Sequence, residues 1–180
     1  TSPLVWLRHA AATAARSQES DMHDPDTILL DRLLFLRKVA IFESCSLDDL
    51  HAMQQAMKRA DYLAGDVIVE QGTQGEELFV LLEGEVSVRQ RGPAGSTEFA
   101  TLKPGSVFGE MALFGEGERS ADIVAVGYVS CLVLERSHFE DLARQRPGIL
   151  LQICQVLGGR LRVANQRLHD LQLQHRHIPG

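Results

Sequence analysis

From about residue 61 to residue 135 the chain is cut by glycine into short apolar runs. The runs are 67–70, 78–83, 85–91, 98–102, 120–125 and 130–135, rich in Val, Leu and Phe. Gly65, Gly72, Gly75, Gly84, Gly92, Gly95, Gly105, Gly117 and Gly127 punctuate them. Short strands at a spacing of roughly 8–12 residues point to a sandwich or barrel. The glycines suit turns that need positive φ.

The flanks have a different period. Residues 3–16 place Leu4, Trp6, Leu7, Ala10, Ala11, Ala14 and Ala15 at helical steps, and 17–25 is a polar linker. The Trp6-Leu-Arg-His-Ala-Ala stretch resembles a HEAT-repeat helix; an isolated amphipathic helix is the plainer reading. Asp26 can cap a helix running to about Lys38. Ser46 and Asp49 fit the N-cap and third position of a second helix, with Leu50, Met53, Ala56 and Met57 as its apolar face. Beyond Glu135, Ser137 caps a short helix to about Arg146, and Pro147 takes the first turn of a last helix reaching about His175. Leu150, Cys154, Leu157, Leu161, Ala164, Leu168, Leu171 and His175 form a coiled-coil-like seam along it. Gly158 and Gly159 weaken this helix by roughly 1 kcal/mol each relative to Ala. The expected organisation is a leader helix and linker over 1–25, N-terminal helices over 26–60, a β unit over 61–135 and C-terminal lid or dimer helices over 136–180. The fold class is mainly β with flanking helices.

Composition narrows the function. The 180 residues carry a net charge of −6. Residues 1–135 hold a balance of −10 and residues 136–180 one of +4. An acidic chain is a poor partner for nucleic acid. No run of 18 apolar residues occurs, so no membrane contact by this fragment is expected. Cys45, Cys131 and Cys154 make no CxxC pair and fit a reducing, cytoplasmic setting, with a parent protein that can be membrane-attached. The seven histidines all lie outside 61–135, which argues against a cupin-type metalloenzyme with ligands on the strands. P-loop, nucleophile-elbow and HExxH motifs are missing. No initiator Met and no signal peptide appear, and the chain is read as a fragment of a longer protein. No enzyme activity, metal or cofactor is expected.

One constellation carries chemistry. Residues 108–121 read FGEMALFGEGERSA between two strand-like runs. Backbone N–H groups entering a short helix can face an anion, Arg119 supplies a planar fork suited to phosphate, and Ser120 supplies a hydroxyl. Glu110 has no evident partner in the sequence, and a ribose hydroxyl is the candidate for it. An ion pair between Glu110 and Arg119 with no ligand is the structural alternative.

This stretch resembles the phosphate-binding cassette of cyclic-nucleotide-binding domains, F-G-E-(L/M)-A-L…R-(S/T/A)-A. Ala64-Gly-Asp-Val-Ile, Gln71-Gly and Leu78-Phe-Val-Leu-Leu-Glu-Gly-Glu-Val are similar to the turns of that family's β-roll. The last helix, from Arg146-Pro-Gly-Ile-Leu-Leu through Arg160-Leu-Arg-Val-Ala-Asn, is similar to the dimer helix of the catabolite activator protein. The resemblance covers about residues 40–170. It implies a jelly-roll-like β-roll and a ligand site in which Glu110 accepts the ribose 2′-OH. Arg119 would pair with the cyclic phosphate, Ser120 would bond a phosphate oxygen, and the backbones of Gly109, Met111 and Ala112 would add donors. Ala164-Asn165 stand where the activator has its adenine-contacting Thr-Ser pair, and Asn165 can donate and accept at a purine edge. Ser120 in place of Thr favours cAMP over cGMP. Asp122, on the same side of the strand as Ser120, adds a negative charge close to the site.

The expectation is a regulatory cAMP sensor, the C-terminal part of a larger protein, forming a homodimer through its last helix. The alternatives are a ligand-free interaction and dimerisation module, or the effector half of a transcription factor.

Overall fold

In the computed structural model, residues 25–93, 95–115 and 118–175 are described. The six glycine-cut runs become strands β2 (Val67–Val69), β3 (Glu77–Glu83), β4 (Val86–Gly92), β5 (Gly95–Leu102), β7 (Asp122–Ala125) and β8 (Val129–Glu135), and two strands not read from the sequence, β1 (Lys58–Tyr62) and β6 (Val107–Phe108), join them. Helices α1 (Pro25–Lys38) and α2 (Leu47–Ala56) precede them. Helix α3 (Met111–Phe114) interrupts them, and α4 (Arg136–Gln145) and α5 (Pro147–His175) follow. The strands pair antiparallel as two four-stranded sheets, in the orders β1-β8-β3-β6 and β2-β7-β4-β5. The expected jelly-roll-like β-roll with flanking helices is therefore present. The leader helix over 3–16, and all but the last residue of the linker, lie outside the described residues.

Alternation along β3 and β8 sets the layering. Side chains on a strand point to opposite faces in turn. Phe79 and Leu81 of β3 and Cys131 of β8 enter the core between the sheets, with Val86, Val88, Ile123 and Ala125. Leu78 and Val80 of β3 and Leu132 and Leu134 of β8 face the helices, meeting Leu36, Phe42, Leu50, Met53, Phe139 and Ile149. The register pairs Leu78 with Leu134 and Val80 with Leu132. These two strands are apolar on both faces because both faces are covered, which is why their sequences are nearly unbroken apolar runs. Each buried Leu contributes about 1.5–3 kcal/mol through the area it removes from water.

The helical layer is tied by polar contacts at its ends. Ser46 caps α2 as expected: its Oγ accepts from the Asp49 backbone N–H at 3.1 Å and donates to Asp49 Oδ2 at 2.7 Å. Arg146 Nη1 donates to Asp49 Oδ1 at 3.1 Å, joining α2 to the corner between α4 and α5. No helix among the described residues is long and apolar enough to cross a membrane.

Several expectations shift. β1 begins at Lys58, inside the span assigned to the N-terminal helices. Asp26 lies inside α1, which starts at Pro25. Ser137 is the second residue of α4 rather than its cap. The first N–H of that helix, on Arg136, is taken by the Glu76 carbonyl at 2.7 Å, and the N-cap position falls to Glu135, whose side chain makes no capping bond. On α5 the core contacts come from Ile149 and Ile153, at most 1% exposed, one position before the seam residues Leu150 and Cys154. Leu150 is 38% exposed and Leu161 is 62% exposed, while Leu157 packs partly against the core.

Candidate ligand-binding site

The cassette begins where β6 ends. Val107 and Phe108 pair with Val80 and Phe79 of β3, which fixes the entry to the turn. Gly109 then takes φ +74°, the left-handed region that favours glycine. A Cβ there would press on the Glu77 carbonyl and on Nη1 of Arg119. Glu110 follows as the N-cap of α3 with αR angles and no side-chain capping bond. With four residues, α3 offers individual N–H groups rather than a macrodipole.

Arg119 returns the chain to the same place. Its backbone is clamped: its N–H donates to the Thr73 carbonyl at 2.9 Å, and its carbonyl accepts from Gly72 N–H at 2.8 Å. Its side chain passes Gly75 so closely that a Cβ on Gly75 would overlap the guanidinium. Nη1 donates to the Gly109 carbonyl at 3.3 Å. Nη2 donates to the Glu77 carbonyl and to Glu77 Oε2, both at 3.0 Å. The guanidinium carbon stands 6.0 Å from the centroid of the Phe79 ring, a cation–π distance. Arg119 is 9% exposed, and the other buried polar side chains among the described residues are the uncharged Ser87 and Ser130. A buried charge needs a partner, and here Glu77 provides it.

The expected residues divide into three groups. Gly109, Glu110, Met111, Ala112, Arg119 and Ser120 are brought together around one turn, closed by the bond from Arg119 to Gly109. Within it the Glu110 side chain is half-buried and has no hydrogen bond or ion pair among the described residues, so the postulated Glu110–Arg119 pair does not form. Ser120 is exposed, and Met111 is 73% exposed, leaving its backbone as its contribution. Asn165 is not gathered in: it is exposed on α5, about 18 Å along the helix axis from Ile153. The Asp122 charge is met elsewhere, its Oδ1 accepting from Gln71 N–H at 2.7 Å and from Arg91 Nη2 at 3.0 Å.

Sequence reading missed Glu77 and the reason for Gly75. Glu77 looks like an ordinary polar start to a strand, and Gly75 like one more turn glycine. The backbone bonds of Arg119 to Gly72 and Thr73, with the bridge between Gln74 and Glu118, bring them together.

Comparison with known proteins now places this geometry. Residues 59–146 match the family model described as "Cyclic nucleotide-binding domain". The chain is 34% identical over 166 residues to the human cyclic nucleotide-gated channel beta-3, covering 85% of this chain and 20% of the channel. It is 27% identical over 137 residues to the CRP-like cAMP-activated global transcriptional regulator of Mycobacterium tuberculosis, covering 76% of this chain and 61% of the regulator. The structure superposes on the Thermus thermophilus catabolite activator protein with a TM-score of 0.65 at 32% identity, covering 74% of this chain and 63% of that one. The chain thus spans a fifth of the channel and less than two thirds of the two regulators. Their shared domain is a sensor and regulator rather than an enzyme. The resemblance read from the cassette holds: residues 59–146 are a domain of the cyclic nucleotide-binding family.

Proposed function

We propose that this chain is a regulatory sensor for a cyclic mononucleotide, cAMP before cGMP, acting on the cytoplasmic side as part of a larger protein that can itself be membrane-attached. The observation that carries the reading is the buried Arg119 guanidinium closing the turn at Gly109, beside a Glu110 carboxylate with no hydrogen bond or ion pair among the described residues. In this reading Arg119 meets the single charge of the cyclic phosphate. Ser120 and the backbones of Gly109, Met111 and Ala112 bond its oxygens, and Glu110 accepts the ribose 2′-OH. Asn165 reaches the base only after α5 closes over the β-roll. The β-roll of 58–135 senses, and the helices of 136–180 close as a lid or pair with a second copy. The exposed Leu150, Leu151 and Leu161 on α5 support pairing. Ligand shifts the equilibrium by its differential affinity for the open and closed arrangements.

The test is calorimetric titration of cAMP and cGMP into wild type and Arg119→Ala, with melting followed in parallel. At 100 times its dissociation constant the ligand stabilises wild type by about 2.7 kcal/mol. Absence of binding at millimolar nucleotide overturns the reading.

One observation favours a second reading. Because Glu77 already matches the charge of Arg119, a ligand-free interaction module is also self-consistent. It predicts no nucleotide response in wild type.

A further inference from the structure

A guanidinium offers an anion two bidentate forks, a side-on one from Nε and Nη2 and an end-on one from Nη1 and Nη2. Nη2 belongs to both. In Arg119 the two Nη2 bonds both go to one residue, to the carbonyl oxygen and to Oε2 of Glu77, each at 3.0 Å. Nη1 gives one bond to the Gly109 carbonyl at 3.3 Å. What is left is the Nε–H and one hydrogen of Nη1, which share no fork. In this arrangement Arg119 cannot take a phosphate bidentately.

The three acceptors are not equally fixed. The Glu77 carbonyl belongs to β3, and the Gly109 carbonyl to a turn pinned by the β3–β6 pairing. The Glu77 carboxylate is on a side chain that is 44% exposed, against 8% for the Arg119 side chain. Its Oε2 is held by one further donor, the Glu76 backbone N–H at 3.1 Å. Turning that carboxylate into water frees one Nη2 hydrogen, restores a fork and removes a negative charge from the path of an anion.

We propose that Glu77 sets the affinity of this site. Its carboxylate occupies the fork of Arg119 in the unliganded domain, and an incoming phosphodiester must displace it. The proposal rests on the nucleotide reading above and adds the residue that opposes binding.

The test compares cAMP binding to wild type, Glu77→Gln and Glu77→Ala by calorimetry, with the melting temperature of each unliganded protein as a fold control. Removing a charge-assisted, half-exposed competitor lowers the dissociation constant by about threefold to tenfold in both variants. Wild-type binding with unchanged affinity in the variants overturns the role of Glu77 and leaves the nucleotide reading standing. Weaker binding in both variants also overturns it, and makes Glu77 a support for Arg119 instead. No heat from any of the three proteins at millimolar cAMP overturns both.

Discussion

Phe79 and Phe108 lie face to face, with ring centroids 5.0 Å apart and planes within 6° of parallel. The pair joins β3 to the strand that enters the cassette, and Phe79 also lies beneath the Arg119 guanidinium. Each ring is 5% exposed. Phe79→Ala is expected to lower unfolding free energy by about 3–5 kcal/mol, read from urea midpoints. Phe79→Leu keeps apolar volume and should cost clearly less. Equal costs would remove the ring from the account of this joint.

Two glycines six residues apart should respond unequally to the same change. Gly109→Ala forces a Cβ into φ +74° and against the Glu77 carbonyl. The left-handed backbone alone costs roughly 1–2 kcal/mol. Gly115 is extended, at φ −167°, with nothing among the described residues within 4 Å of an added Cβ. Gly115→Ala should stay within about 0.5 kcal/mol of wild type. Thermal melting of the two variants decides it.

Loss of Arg119 is expected to weaken cAMP binding by about tenfold to a hundredfold, the worth of a charge-assisted bond. Arg119→Lys keeps the charge but loses the fork, so it should recover only part of the loss. Full recovery by lysine would mean that charge alone, and not bidentate geometry, holds the ligand.

Asp49 gives stability a pH dependence. The Ser46 hydroxyl holds its carboxyl below the ordinary aspartate range; partial burial opposes this, and Arg146 adds to it. A carboxyl lowered in the folded state stabilises at neutral pH and loses that contribution as pH falls through its folded value. Asp49→Asn should therefore be less stable than wild type at pH 7, with the gap narrowing as pH falls below the ordinary aspartate range. A gap independent of pH, by urea unfolding at neutral and acid pH, would contradict the assignment.

The three thiols should separate by reactivity. Burial, aided by Asp49, pushes Cys45 up to about 11, and burial, aided by Asp61, pushes Cys131 up to about 12. Cys154 is exposed on α5. A thiol reagent at pH 8 should label one site rapidly in the native protein and all three in denaturant. Cys154→Ser should abolish the fast phase, because thiolate fraction and access set the rate.

What could be read from the chain was what is local. The cap at Ser46 needs only Asp49, three residues on. The cassette is legible because six of its seven expected residues fall within 109–120. β1 was hidden because Lys58–Tyr62 has no alternating apolar pattern; its order comes from backbone pairing with β8, Lys58 opposite Val133 and Tyr62 opposite Val129. β6 was hidden because it has only two residues. Glu77 lies 42 residues before Arg119, and nothing in its own neighbourhood marks it. The inner face of α5 was not legible because Ile149 and Leu150 are both apolar, and only packing tells which of them turns onto the chain's own core.

The alternation in β3 has a further consequence. Glu77 and Phe79 stand on the side that meets Arg119, while Leu78 and Val80 stand on the side that meets the helices. Successive residues on a strand are about 3.3 Å apart. The Arg119 side and the helical layer are therefore separated by a single backbone. Side chains next to each other in sequence face the candidate site on one side and the helical core on the other.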